Sequence, residues 1–256
     1  MVSGRGRGQR AEPIVGRRSS GADRRTHPIT HLGYIVPVEP TRIRILETAE
    51  RLFAERGVNG VSLREIGAAA GQRNTGAARY HFGSKEGLLE AIWEHRMVPV
   101  NARREAMLAA LDAEGRGHDL RGLTEAFVHP LSEQLGEPGR PSWYLRFCIH
   151  AAYVAGTAPT KPGRDPWTRG TEQLRRRFDV ALADVGVPET MRDDRWTLFA
   201  GHLTHALAER ERALQHTPGR RLTNRALFLS GLVDTAVALA AAPVSAETTR
   251  LARRPA

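Results

Sequence analysis

From Thr41 onward the apolar residues recur at three- and four-residue intervals. In "RIRILETAERLFAERG", Ile45, Leu46, Ala49, Leu52 and Phe53 share one helical face, and Gly57 supplies a C-terminal stop. The next stretch, "VSLREIGAAAG", opens with the Ser-x-x-Glu pattern of a capping box, Ser62 with Glu65, and places Val61 to staple against Ile66. This second helix is short and ends near Gly71. The spacing predicts a third helix that starts between Gln72 and Thr75, runs to about Tyr80 and breaks at Gly83. Ser84 then caps a longer fourth helix, "KEGLLEAIWEHRMVPVNARREAMLAALDAEG", bent at Pro99. Beyond Gly117, further helices are expected at about 119–135, 142–156, 166–185, 188–215 and 222–241, separated by Gly/Pro clusters. No strand pattern and no internal repeat stand out, so the expected class is all-α.

Composition divides the chain further. Residues 1–40 hold seven arginines with Gly, Ser and Pro and no apolar period, which predicts a disordered basic arm. Its "GRGRG" suits either a phosphate backbone or an inert leader. The expected order is this arm, a domain of short helices at 41–87, a second helical domain at 88–245 and a disordered tail at 246–256. The formal charge of +10 is unevenly placed: residues 1–87 carry fifteen Lys/Arg against eight Asp/Glu, a net of +7. A polyanion partner suits that asymmetry, because each neutralised phosphate releases condensed counterions.

Several classes are disfavoured by what the sequence contains. A single cysteine, Cys148, cannot form an intrachain disulfide, and the first ten residues lack a signal-like apolar run, so a cytoplasmic location is expected. The longest apolar runs fall well short of the roughly 20 residues needed to span a bilayer, so no membrane partner is expected. There is no Gly loop ending in Lys-Ser/Thr, no Gly-x-Ser-x-Gly elbow and no His-Glu-x-x-His helix, so neither catalysis nor a cofactor is expected. His202 and His205 share a helical face but lack a third ligand nearby, so no metal is expected either.

Short amphipathic helices joined by a small-residue turn at Ala70-Gly71 have the outline of a helix-turn-helix, in which the second helix of the pair enters the major groove. The presented segment carries Gln72, Arg73, Asn74, Thr75, Arg79 and Tyr80. Arg can donate two hydrogen bonds to guanine, Asn or Gln can pair with adenine, and Thr reaches a base or a phosphate. Lys85, beside the free N–H groups that open the fourth helix, suits a phosphate. Arg64 on the second helix suits either a phosphate or a local glutamate.

Taken together, "TAERLFAERGVNGVSLREIGAAAG" and "YHFGSKEGLLEAI" resemble the N-terminal domain of the TetR family of transcriptional regulators, over Thr41 to about Trp93. The resemblance implies that Tyr80 and His81 lie near the sugar-phosphate backbone, Phe82 packs internally and Lys85 meets phosphate, with Ser62 and Arg64 as further DNA-binding candidates. One departure is that the segment from Gly71 is a residue longer than the family's commonest version, with Arg79 where many members carry an aromatic. The resemblance further implies a C-terminal domain that binds a small-molecule effector and forms a homodimer through its last two long helices. Candidate interface residues are Leu198, Leu203 and Leu207, then Leu229, Val233 and Val237. Candidate pocket residues are the aromatics Trp143, Phe147, Tyr153, Trp167, Trp196 and Phe199, which could equally be ordinary core. The expected function is a ligand-responsive, homodimeric repressor bound to a pseudo-palindromic double-stranded DNA operator. The alternatives are an activator or ligand-free regulator, and an all-helical small-molecule carrier or enzyme.

Overall fold

The computed structural model describes residues 40–137, 140–152, 166–216 and 221–252. The expected basic arm therefore lies outside the described residues, save for Pro40. Ten α-helices are present among them and no strand: α1 Pro40–Arg56, α2 Leu63–Ala69, α3 Ala77–Phe82, α4 Lys85–Ala113, α5 Leu120–Ser132, α6 Tyr144–Ala151, α7 Pro166–Asp184, α8 Glu189–His216, α9 Arg225–Ala240 and α10 Ala246–Ala252. The tail expected to be disordered begins with about two turns of helix, none of whose residues is buried.

Helix starts follow local chemistry. Ser62, Ser84, Asp119 and Asn224 each accept a backbone N–H of the turn they open, satisfying donors that a helix start leaves orphaned. Gly57, Gly71 and Gly83 end helices or turns at positive φ, where a side chain would be strained.

Helix α4 organises the molecule. It runs unbroken through Pro99 for 29 residues and packs against α1 and α3 at one end and against α5 and α7 beyond. Its inward stripe, from Leu88 and Leu89 through Trp93, Met97 and Val100 to Leu108, is buried. In α5 the ring of Pro130 removes the N–H that would pair with the Ala126 carbonyl. The Arg104 guanidinium of α4 takes that carbonyl instead, at 3.2 Å. Helix α8 packs on α6, α7 and α9, and α9 on α5. No described helix is long and apolar enough to cross a membrane.

Two expectations about side chains change. Leu203, Leu207, Leu229 and Val233, assigned from sequence to a dimer interface, are buried within the chain, and Val237 is half-buried against its core. The apolar stripes of α8 and α9 are needed to cover α5, α6 and α7, so they are spent inside one chain. Only Leu198 of that set faces outward, 63% exposed. The aromatics assigned to a pocket also pack as core. Phe147 sits among Phe53, Trp93 and Tyr144, while Trp196 and Phe199 close on Phe127 and Phe178. Trp143 and Trp167 are half-buried against this core, and Tyr153 lies outside the described residues.

Candidate nucleic-acid interface

The helix-turn-helix is built on two local devices. The first is the capping box: Ser62 Oγ accepts from the Glu65 N–H at 3.2 Å and Glu65 returns a carboxylate oxygen to the Ser62 N–H at 2.8 Å. The Ser62 hydroxyl also donates to that carboxylate at 2.8 Å, and this bond first, then the one from the Ser62 N–H and that from Arg56 at 3.0 Å, hold the exposed Glu65 carboxyl down at about 2. Arg56 also reaches the Gly60 carbonyl at 2.8 Å, so the end of α1, the following loop and the start of α2 are tied together.

The second device is a close approach of backbone to backbone. A Cβ on Gly67 of α2 would stand 2.8 Å from the Thr75 carbonyl oxygen. Only glycine lets the turn after α2 lie against that helix. Val61 and Ile66, 2% and 0% exposed, fill the space beneath as the staple pattern anticipates.

The presented segment differs from its expected form. Helix α3 begins at Ala77, so Gln72, Arg73, Asn74 and Thr75 belong to the turn that leads into it rather than to the helix. The cause is local hydrogen bonding. Asn74 Oδ1 accepts from the Gly76 N–H at 2.9 Å, and the Ala77 N–H goes to the Asn74 carbonyl, a side-chain-to-backbone turn that competes with helix. Gln72 is likewise engaged, donating to the Ala70 carbonyl at 3.1 Å.

What remains is a polar surface. Arg73, Asn74, Thr75, Arg79 and Tyr80 are exposed, Tyr80 by 85%. His81 is half-buried and stacks edge-on with Tyr80 at 5.2 Å between ring centres. Phe82 packs against the core with the Arg42 guanidinium 5.1 Å over its ring. On α2, Arg64 is exposed while Glu65, its nearest candidate counter-charge, is committed to Ser62 and Arg56. The Lys85 ammonium donates to the Val58 carbonyl at 3.1 Å, which fixes the start of α4 to the loop after α1. Sequence reasoning missed that tie because it joins residues 27 apart.

Elsewhere two clefts open on the described surface. One, of about 460 Å³, lies between α1, α6 and α8 and is lined in part by Glu55, Arg146, His150 and His205. The other, of about 490 Å³, lies between α5 and α9. Neither is lined by the aromatics assigned to a pocket. No group of three metal-ligating side chains occurs among the described residues.

Residues 45–92 match the family described as "Bacterial regulatory proteins, tetR family". The chain is 36% identical over 156 residues to the HTH-type transcriptional repressor AcnR of Corynebacterium efficiens, a match covering 60% of this chain and 70% of that protein. It is 35% identical over 106 residues to the HTH-type transcriptional regulator AcrR of Shigella flexneri, covering 40% of this chain and 45% of the relative. A similar match, 37% over 84 residues, joins it to the HTH-type transcriptional repressor Rv3405c of Mycobacterium tuberculosis, covering 30% and 44%. The chain thus spans less than half the length of these last two. Among solved structures, Mycobacterium smegmatis AmtR aligns over 86% of this chain and 98% of its own, at 19% identity and a TM-score of 0.49. The fold is that of an all-helical protein with an N-terminal helix-turn-helix, and the chain belongs to the TetR family. That is a family of regulatory proteins rather than of enzymes.

Proposed function

We propose that the protein is a sequence-specific DNA-binding transcriptional regulator, and that it acts as a homodimeric, effector-responsive repressor. The observation that carries the reading is the exposed set Arg73, Thr75, Arg79 and Tyr80 on a turn and helix held rigid by Gly67 and the Ser62–Glu65 box. In this reading Arg73 and Thr75 read base edges, while Tyr80, His81, Arg79, Arg64 and the open end of α2 at Ser62 border the phosphates. The Asn74 amide nitrogen stays available for a base, since only its oxygen is used in the turn. Lys85 contributes too: an ammonium has three N–H groups, and the Val58 carbonyl takes one. Two of the matched relatives are named as repressors, which favours that sign of control.

What the chain leaves uncovered supports the dimer. On α8, Leu198, Gly201, His202 and His205 line an outward stripe, and on α9 Leu227, Ser230, Gly231 and Ala238 do so. A Cβ at Gly201 or Gly231 would meet nothing within 4 Å, although glycine inside a helix costs about 1 kcal/mol against alanine. A second copy whose helices approach closely across these positions would give both glycines a use. A two-fold dimer also spans two half-sites, multiplying affinity and selectivity.

The test is a gel shift of the protein on its own upstream intergenic DNA at two salt concentrations. Lys85→Ala is expected to weaken binding to all sequences and flatten the salt dependence, and Tyr80→Ala to weaken it without changing that slope, whereas Thr75→Ala alters sequence preference. Binding to none of these fragments above random DNA would refute the reading. Sedimentation of Leu198→Glu with Gly231→Glu should give monomers, and an unchanged dimer would move the interface elsewhere.

A further inference from the structure

The arginines of α1 differ in their partners. Arg51 pairs with Glu55 at 3.2 Å and Arg56 with Glu65 at 3.0 Å. Arg42 forms no ion pair and its guanidinium donates no hydrogen bond among the described residues. It lies instead over Phe82, 5.1 Å from the ring centre. Other guanidinium groups that lie over rings are occupied or enclosed. Arg96, over Tyr144, holds Glu50, and Arg146, over Trp143, holds Glu211. Arg210, over Phe228, is taken by the Thr223 carbonyl, and Arg104, over Phe127, is fully buried. Arg42 is thus a half-buried cation with its donors unused.

Its place is set by a contact between residues 40 positions apart. Phe82 ends α3, and its ring continues a row that starts at the exposed Tyr80. Tyr80 and His81 have ring centres 5.2 Å apart, and His81 and Phe82 6.2 Å. Arg42 closes that row, beside the residues that border the phosphates in the reading above. No acidic side chain stands in the first turn of α1 to draw the guanidinium away. Contact with the ring takes none of its five N–H groups to an acceptor. It also restricts the rotamers of a long side chain, so less entropy is lost when those groups meet an anion.

We propose that Arg42 is a phosphate contact of the DNA interface, with the Phe82 ring as the platform that holds its guanidinium in place. A guanidinium matches a phosphate in a fork of two charge-assisted hydrogen bonds. The contact carries the interface beyond the segment 62–85 to the start of α1. Phe82 then has two faces in use, one packed on the core and one under Arg42. The proposal rests on the regulator reading, because it is that reading which sets a DNA backbone beside Tyr80 and His81. A purely structural tie between α1 and α3 is the competing role, and it acts on stability rather than on the salt dependence of binding.

The experiment measures duplex affinity of the full chain by fluorescence anisotropy over a salt series, on its own upstream intergenic DNA and on random DNA. Arg42→Gln is expected to lower affinity about tenfold on both and to reduce the slope of log affinity against log salt by about 0.9, the share of one phosphate. Arg42→Lys should restore the slope, because the charge is kept. Arg51→Gln removes an equal charge elsewhere on α1 and should leave both quantities unchanged. The melting midpoint of Arg42→Gln should stay within about 2 °C of wild type, since no hydrogen bond is lost. In a Phe82→Leu background, Arg42→Gln should have a smaller effect than in wild type, as coupled residues do. An unchanged slope in Arg42→Gln, an equal drop in Arg51→Gln, or an undiminished effect without the Phe82 ring would each overturn the proposal. If Phe82→Leu does not fold, the Arg42 and Arg51 variants still decide it. Sequence-specific binding with an unchanged Arg42→Gln slope sinks the contact alone. Sequence-blind binding whose slope still falls in Arg42→Gln sinks the regulator reading alone.

Discussion

The helix-turn-helix keeps its polar side chains outside, while the bundle from α4 to α9 takes several inside. In the first region Arg73, Thr75, Arg79 and Tyr80 are exposed and the stabilising hydrogen bonds are short-range, as between Ser62 and Glu65. In the second, Asn101, Arg104 and Glu211 are buried and bonded to residues distant in sequence. A solvated polar surface needs only rigid local support. Buried polar groups, in contrast, fix one arrangement of helices, because each loses its partner if the helices slide.

The contrast can be broken at three points. The largest effect is expected from Phe199→Ala, whose ring is 0% exposed and 4.3 Å from that of Phe178. Losing it should cost about 3–5 kcal/mol of stability in denaturant unfolding, whereas Tyr80→Ala, at an 85% exposed site, should leave stability unchanged and act on DNA binding alone. Equal losses from the two would erase the distinction between the regions.

Next in size is Gly67→Ala. The added Cβ meets the Thr75 backbone, which has little room to give, so about 1–3 kcal/mol should be lost. Operator affinity should fall at least tenfold while the helical domain keeps its structure by near-ultraviolet circular dichroism. Wild-type affinity would mean that the turn need not lie against α2.

The smallest is Ser62→Ala, which should lower the melting midpoint by about 2–4 °C. It carries a pH signature. Because the Glu65 carboxyl is held at about 2 in the folded chain against an ordinary 4.5, its contribution is full above 4.5 and fades as pH falls towards 2. Removing the Ser62 hydroxyl brings the folded value back up, so the variant should show a shallower loss of stability over that window. Parallel acid limbs for variant and wild type would remove the capping box from the account.

The helices were readable in the sequence because their signals are local. The apolar spacing from Ile45 to Phe53, the Ser62–Glu65 box and the caps at Ser62 and Ser84 all act within one or two turns, and each appears where the pattern puts it. The family was readable for the same reason, since its signature is contiguous. The start of α3 was missed by a few residues because Asn74 spends its side chain on the backbone two residues ahead, which apolar periodicity does not register.

The sequence by itself determined which segments are helical, where an exposed polar segment sits and which family the chain joins, because those properties depend on neighbours within a few residues. Only the tertiary structure decided that Leu203, Leu207, Leu229 and Val233 cover the chain's own core, that Lys85 is tied to Val58, and that Arg104 is buried without a carboxylate. An apolar stripe shows that a helix must be covered, and a charged residue shows that it needs a partner. Which surface covers it, and whether that partner exists, is settled by residues tens of positions away.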